Sequence, residues 1–304
     1  MIWKILVPIL TLLFSDLVSG GTLPDRRQSL DRVAITDRFR IFYTLSGKDA
    51  LPSERQTDAD NSGTPDYIEQ LAQRFVKVDK FYRTKVGLIS PLDSDRYKGR
   101  AHYIDINLLN LSDDKGKTRN GIAYDGTPKL DRVVAGAESL NVLLIDLSNS
   151  LSWENKTVEH ELFHLFQNGY TYFKNPWYTE GTARWSELIM NGRLGSGGGL
   201  PHSEDQKQEL FHKTYDANTF WNELILRSDK AALGKNFIKK LLEKLGEIDG
   251  VAARDRGIES APWPESEQRS EDNDPYIWRA VLETMREIGY TESNDKDVSK
   301  LHKL

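Results

Sequence analysis

Two histidines spaced four positions apart inside an apolar stretch constrain the fold of this chain more than any other sequence feature. Residues 157–168 read TVEHELFHLFQN, and the two histidines are His160 and His164. Positions i and i+4 lie on the same face of an α-helix, so both imidazoles project in one direction. The other faces carry large apolar side chains, namely Leu162, Phe163, Leu165 and Phe166. The pattern predicts a buried helix, ended by Gly169 as a C-terminal cap, that presents two imidazoles together.

Two imidazoles on one helix face can bind a single Zn²⁺ ion. Glu161 directly follows the first histidine, and in a His-Glu-x-x-His segment such a carboxylate can take a proton from a zinc-bound water. The segment therefore predicts a zinc site with Glu161 as the general base. Two helix histidines that are satisfied by hydrogen bonds would give the same pattern, so this alternative stays open at the level of sequence.

A candidate third zinc ligand opens the next predicted helix, which spans residues 176–190. Glu180 lies sixteen positions after His164, within the stretch WYTEGTA. A helix–turn–helix of this size can bring Glu180 beside the two imidazoles, and the small residues Gly181 and Ala183 would let the helices approach closely. Two histidines and one glutamate leave the fourth zinc position open for water, as a catalytic site requires. The alternative is an ordinary acidic residue in the first turn of a helix.

A second group of oxygen-bearing side chains precedes the first predicted helix, residues 67–82. Residues 58–69 read DADNSGTPDYIE and place oxygen atoms at positions 1, 3, 5, 7, 9 and 12 of a calcium loop, with Gly63 at position 6. The predicted Ca²⁺ ligands are Asp58, Asp60, Ser62, Thr64, Asp66 and Glu69. Such an ion would have a structural role. A turn rich in aspartate that caps the helix is the alternative.

The order of predicted elements indicates an α+β fold. Alternating or compact apolar runs predict strands over residues 38–44, 101–107, 121–125 and 141–146. From residue 157 onward the periodicity is mostly helical. Strands and one helix followed by helices predict an α+β catalytic domain with a mostly helical C-terminal half.

The N-terminus has the features of an export signal. Residues 1–20 combine one early lysine, an apolar run of about ten residues and small residues at a cleavage site, which predicts a signal peptide. An uncleaved membrane anchor is the alternative. Residues 21–37 are polar and predict a linker. After signal cleavage we expect a secreted or periplasmic protein with no stable membrane association.

The amino-acid composition excludes several kinds of site and of binding partner. The chain has no cysteine, which excludes disulfides, thiolate metal ligands and a cysteine nucleophile. Its formal net charge is −5, and its lysines and arginines are scattered rather than clustered. A nucleic-acid partner is therefore not expected.

The zinc motifs together resemble those of the gluzincin peptidases, in which a glutamate is the third zinc ligand. The relevant pattern is His-Glu-x-x-His followed by Trp-x-x-Glu-Gly-x-Ala, the latter over residues 177–183. Joined to residues 58–69, it resembles secreted bacterial metalloproteases that are distantly similar to immune-inhibitor-type proteases. The resemblance covers residues 39–187 and is weak beyond residue 190.

This resemblance implies a zincin-like catalytic domain over residues 38–200, with a small mixed sheet and an active-site helix. Residues 201–304 would form a helical C-terminal subdomain. In aminopeptidase-like gluzincins a tyrosine before a later helix stabilises the oxyanion, and Tyr215 is similar in placement; a half-buried core tyrosine is the alternative. Glu187, two turns after Glu180, either orients a ligand imidazole or is a solvated helix acid.

The predicted function is hydrolysis of peptide bonds, with endopeptidase action favoured and a protein or peptide as substrate. A strand that precedes the active-site helix would pair with the extended substrate. We expect a monomer. Two alternatives remain open: a calcium-stabilised, catalytically inactive zincin-fold binding or adhesion module, and a hydrolase that acts on a non-peptide bond.

Overall fold

The computed structural model describes residues 23–113, 116–132, 134–290 and 295–304 of the chain. The predicted signal peptide, residues 1–20, lies outside the described residues. Among the helices that are described, none is both long and apolar enough to cross a membrane.

Strands occupy the first half of the chain and helices dominate the second, so the predicted α+β class is confirmed. The strands are β1 (Arg32–Thr36), β2 (Phe39–Tyr43), β3 (Tyr103–Leu109), β4 (Gly121–Tyr124) and β5 (Val142–Ser148). The helices are α1 (Leu23–Gln28), α2 (Asp66–Phe81), α3 (Thr157–Tyr170), α4 (Pro176–Ile189), α5 (Glu204–Phe211), α6 (Asn218–Ser228), α7 (Lys235–Arg256), α8 (Glu265–Gln268), α9 (Asp274–Glu287) and α10 (Lys296–Leu301).

The five strands form one mixed sheet in the order β1-β2-β3-β5-β4. The central strands β2, β3 and β5 are parallel, whereas β1 and β4 pair antiparallel at the two edges. Strand β4 precedes β5 in the chain but lies outside it in the sheet. One long side of β4 is therefore left at the sheet edge.

One face of the sheet carries the apolar positions of each strand and packs on the helices. The alternating residues Ile104, Ile106 and Leu108 of β3 are buried in the main hydrophobic core, as are Leu143 and Ile145 of β5. Helices α2 and α3 pack on this layer, and α3 also contacts α4 and α7. The same core continues into α6, α7 and α9, so the sheet and the C-terminal helices share one apolar interior.

The opposite face of the sheet holds buried charges, where simple alternation would place exposed polar groups. The guanidinium of Arg40 donates to both carboxylate oxygens of Asp105, at 2.7 and 2.9 Å, and Arg132 donates to the same carboxylate at 3.1 Å. Nearby, Arg27 donates to the buried Asp146 at 2.7 Å. Because buried charges are stable only when paired, these ion pairs hold the segments that carry Arg27 and Arg132 against this face of the sheet.

Two expectations from the sequence are wrong. Residues 21–37 are not a plain linker, since their described part contains α1 and β1; Arg27 pairs with Asp146, and Leu30 is fully buried. Gly169 does not cap α3, which continues to Tyr170. A Cβ at Gly169 would lie 3.3 Å from the side chain of Ser94, so this glycine permits a close approach instead.

The buried ion pairs predict a large stability difference between two aspartates. Replacing Asp105 with Ala leaves Arg40 and Arg132 charged and unpaired in the interior, so the free energy of unfolding should fall by about 3–5 kcal/mol. The control is Asp93→Ala, which removes the half-exposed partner of Arg38 and should cost less than about 1 kcal/mol. Urea unfolding followed by circular dichroism measures both. Equal losses for the two variants would contradict this account of the sheet face.

Candidate metal centre

Helix α3 is held inside the fold along most of its length. Asn155 Oδ1 accepts a hydrogen bond from the backbone N–H of Thr157 at 2.9 Å, which satisfies a free donor at the helix start. Its apolar side chains, Leu162, Phe163, Leu165 and Phe166, are fully buried. The face that bears His160 and His164 instead lines a cleft of about 780 Å³.

Helix α4 follows after a short connection and packs against α3. Its first turn is anchored by Trp177, whose indole N–H donates to Asp274 Oδ1 at 2.7 Å. The small Gly181 does not face α3 as expected: a Cβ there would lie 2.6 Å from Nε1 of Trp221 on α6. Because Gly181 has no side chain, Trp221 can approach α4, and its indole N–H donates to the carbonyl oxygen of Trp177 at 2.7 Å.

The structure brings the three predicted zinc ligands together. Glu180 Oε2 lies 3.1 Å from His160 Nε2 and 3.5 Å from His164 Nε2. Three ligands at about 2.0–2.1 Å from one tetrahedral ion would be roughly 3.3 Å apart. The three side chains also offer ligand atoms that all lie within 4.8 Å of one another. Two neutral imidazole nitrogens and one carboxylate oxygen form a donor set that fits Zn²⁺.

Each imidazole is oriented by a hydrogen bond at its other nitrogen. His160 Nδ1 lies 2.9 Å from Glu187 Oε1, and His164 Nδ1 lies 2.7 Å from Gln167 Oε1. With the Nδ1 atoms bonded in this way, both Nε2 atoms face Glu180. Such outer contacts set the tautomer and the ring angle of a ligand histidine.

Gln167 is a site residue that the sequence reasoning missed. Its Nε2 donates to the backbone oxygen of Thr179 at 3.0 Å and to Thr182 Oγ1 at 2.7 Å, which fixes the amide with its oxygen toward His164. The available signal was spacing, because position i+3 from His164 lies on the same helix face.

Glu161 is buried at the floor of the cleft beside the edge strand. The backbone N–H of Ala123 donates to Glu161 Oε2 at 2.8 Å. A Cβ at Gly121 would lie 2.7 Å from Glu161 Cγ and 2.6 Å from Thr157 Cγ2, so only glycine lets the strand approach this closely. Burial raises the pKa of the Glu161 carboxyl above its usual value, although the nearby histidines oppose this. A carboxylate with a raised pKa is suited to accept a proton.

The charges of the centre are strongly coupled. Burial disfavours the charged imidazole of His160, but hydrogen bonds to Glu180 and Glu187 outweigh it and raise the pKa of His160 to about 9. Burial likewise opposes ionisation of Glu180, yet its bonds to the two histidines lower its pKa below the usual value. In the ion-free protein a proton thus holds the position that a metal ion would compete for.

Tyr215 lies at the mouth of the same cleft. Its ring centroid is 5.8 Å from that of His160, and the residue is 51% exposed. Burial, followed by the charges of Glu180 and Glu161, raises the pKa of its hydroxyl to about 12, so this group keeps its proton. Tyr215 does not belong to the hydrophobic core, so it is not the core tyrosine of the alternative interpretation.

Strand β4 runs along one wall of the cleft, and Ile122 and Ala123 are among the lining residues. The strand that directly precedes α3 is β5, which lies between β3 and β4 and has no open edge. Of the strands that precede α3, the one with an open edge beside the cleft is therefore β4, and the expected pairing of such a strand with a substrate can concern only this edge.

The predicted calcium loop is compact and exposed. Asp58 accepts hydrogen bonds from the backbone N–H groups of Ser62 and Gly63, at 2.9 and 2.8 Å. Ser62 Oγ donates to Glu69 Oε1 at 2.8 Å, and Gly63 has a φ of +87°, which favours glycine. The carboxylates of Asp58, Asp60 and Asp66 offer oxygen atoms within 4.8 Å of one another. An all-oxygen set of this kind fits a hard cation such as Ca²⁺.

No protein-family model matches the chain, and no curated protein is significantly similar to it in sequence. Its function therefore has to be inferred from the residues of the cleft and their geometry.

Proposed function

We propose that this chain is an exported zinc-dependent peptidase of the gluzincin type, with a zincin-like catalytic domain. One observation carries the proposal: two imidazole Nε2 atoms and one carboxylate converge, and each imidazole has an acceptor at Nδ1. If the two histidines were only hydrogen-bonded residues of a helix, nothing would require both Nε2 atoms to face the same carboxylate. The resemblance of the motifs at residues 160–164 and 177–183 to those of gluzincins supports the same assignment.

His160, His164 and Glu180 would hold the ion. When bound, zinc supplies a Lewis acid that polarises the scissile carbonyl and makes water nucleophilic near neutral pH. Glu187 and Gln167 keep the two rings in the ligand orientation. All three side chains line the cleft, so substrate and water would have access to a bound ion.

Glu161 acts as the proton carrier. Its Oε2 is occupied by the Ala123 N–H, so the attacking water gives its proton to Oε1. The water oxygen forms a bond to the carbonyl carbon, the C–N bond breaks, and Glu161 returns the proton to the leaving nitrogen. The protonated Tyr215 hydroxyl, at the mouth of the cleft, donates a hydrogen bond to the developing oxyanion.

The open edge of β4 binds the substrate backbone. The Asn120 carbonyl accepts from Ser148 of β5, whereas the Ala123 N–H donates away from the sheet to Glu161. Because the direction alternates along a strand, the backbone groups of Gly121 also point away from β5. An extended peptide can add to this edge as a further strand. This mode of binding favours chain segments over compact small molecules and supports peptide bonds as the target.

Substitution of the proton carrier is the first test. Glu161→Gln keeps the size of the side chain but cannot accept the proton, so peptide hydrolysis should fall by about 10²–10⁴-fold while zinc stays bound at one equivalent. Elemental analysis and digestion of a mixed peptide library measure the two quantities. The control is Glu209→Gln, which alters an exposed acid on α5.

Two results would count against the mechanism. Undiminished cleavage by the Glu161→Gln variant would remove Glu161 from the reaction. Stoichiometric zinc in the unaltered protein, without cleavage of any peptide or protein, would favour the inactive binding module.

Substitution of Gln167 tests the orientation of His164. Gln167→Leu removes the acceptor at Nδ1, so zinc affinity should fall by about 10–100-fold. Competition with a chromophoric chelator measures this affinity, and thermal unfolding in chelator checks that the variant is folded. Gln73→Leu, on the exposed face of α2, is the matched control. Unchanged zinc affinity in the Gln167 variant would show that His164 needs no such support.

The loop at residues 58–69 would bind Ca²⁺ and stabilise the start of α2. Calcium at about 100 times its dissociation constant should raise the free energy of unfolding by about 2.7 kcal/mol. Differential scanning calorimetry with Ca²⁺ or with the calcium chelator EGTA measures the shift. Asp58→Ala should abolish the response, whereas Asp205→Asn, on α5, should keep it. A calcium response that survives in Asp58→Ala would place the ion elsewhere.

A further inference from the structure

The cleft has two chemically different ends, and β4 gives it a direction. At the start of the strand, Gly121 lies against Thr157 in the first turn of α3. At the end of the strand, Tyr124 and Asp125 line a neighbouring cavity together with Asn168 from the last turn of α3. The strand and the helix therefore run side by side, with the candidate zinc ligands between the two ends.

Among the residues that the structure describes, the charged side chains that line the end near the start of α3 are all basic. Its charged lining residues are Lys117 and Arg119, on the segment that leads into β4, and Lys156, directly before α3. Within the part of the chain that the structure describes, none of these three side chains forms an ion pair. We call these three residues the basic end of the cleft.

At the opposite end the cations are paired with carboxylates. Lys174 Nζ lies 3.0 Å from Asp125 Oδ2 and 3.1 Å from Glu265 Oε2. Arg269 Nε pairs with Glu265 Oε1 at 2.6 Å. Arg96 Nη2 also lies 2.9 Å from Asp125 Oδ2, so each of these three cations already has a carboxylate partner.

The carboxylates in the middle of the cleft do not neutralise the basic end. Glu180 faces the two imidazoles, and Glu187 is shared between His160 and Arg184, which lies 2.9 Å away. Glu161 is buried and accepts the Ala123 N–H. The basic end is thus unpaired in a protein whose formal net charge is −5.

We propose that the basic end of the cleft, formed by Lys117, Arg119 and Lys156, binds acidic side chains of the substrate, so that this peptidase prefers peptides with aspartate or glutamate on one side of the scissile bond. The inference rests on the proposed function and gives it a substrate class. A peptide on the edge of β4 extends past the zinc ligands toward one cleft end in each direction. Among the described residues, only one of those ends offers cations that have no carboxylate partner, so the preference is one-sided.

Peptide binding without turnover is the direct test. The zinc-loaded Glu161→Gln chain is titrated into each of two fluorescent peptides. One peptide carries two glutamates on one side of the expected cleavage site, and the other carries two glutamines at the same positions. Fluorescence anisotropy should show about tenfold tighter binding of the acidic peptide, and the difference should shrink as salt is raised. When Lys117→Gln, Arg119→Gln and Lys156→Gln are combined with Glu161→Gln in one chain, the two peptides should bind equally.

A charge-matched control separates local from overall charge. Lys48→Gln, Lys77→Gln, Lys80→Gln removes three exposed lysines that do not line the cleft and should keep the tenfold preference. A preference that is equally lost in this control, or that survives in the cleft variant, overturns the inference. So does equal binding of the two peptides by the chain with an intact basic end.

Cleavage of a peptide library by the unaltered zinc-loaded protein supplies the second readout. Enrichment of aspartate and glutamate on a single side of the cut sites supports the inference, and absence of acidic enrichment contradicts it. If no peptide is cut, the peptidase proposal fails, while the anisotropy difference still decides whether the basic end binds acidic chains.

Discussion

The burial of α3 between the sheet and α4 is the constraint on which the rest of the structure depends. Its apolar side chains fill the interior, so the helix cannot turn about its axis without exposing Phe163 and Phe166 to water. The remaining face is thereby fixed toward the cleft, and with it His160 and His164. The positions of the two imidazoles therefore follow from the packing of the apolar side chains on the other faces of the helix.

The sheet contributes through both of its faces and one edge. Its apolar face supports α3, and its opposite face is closed by the ion pair between Arg40 and Asp105 and by the binding of Arg27 to Asp146. Antiparallel addition of β4 outside β5 then leaves a strand edge at the cleft. Gly121 is the local requirement, since a side chain there would meet Glu161. The order of the strands and the lack of a side chain at Gly121 together bring the edge of β4 next to Glu161.

The sequence predicted which side chains of the candidate metal centre lie together better than it predicted the segments packed around them. Helix periodicity placed His160 and His164 on one face because spacing within a helix is a local property. The polar segment at residues 21–37 was misjudged, since Arg27 looks solvent-exposed until its buried partner, Asp146, is known. Gly169 was misjudged for a similar reason. A glycine after an apolar run predicts a cap, whereas Ser94, distant in sequence, decides its real role.

Composition and motif spacing alone determined the α+β class, the helix with its two imidazoles, the candidate third carboxylate and the oxygen-rich loop. Each depends on residues close together in the chain, where geometry is set by helix pitch and turn chemistry. Only the tertiary structure decided that Gln167 and Glu187 orient the rings, that β4 rather than β5 borders the cleft, and that Lys117, Arg119 and Lys156 share one end of it. These arrangements depend on contacts between distant segments, which arise when the chain buries its apolar surface around a single core.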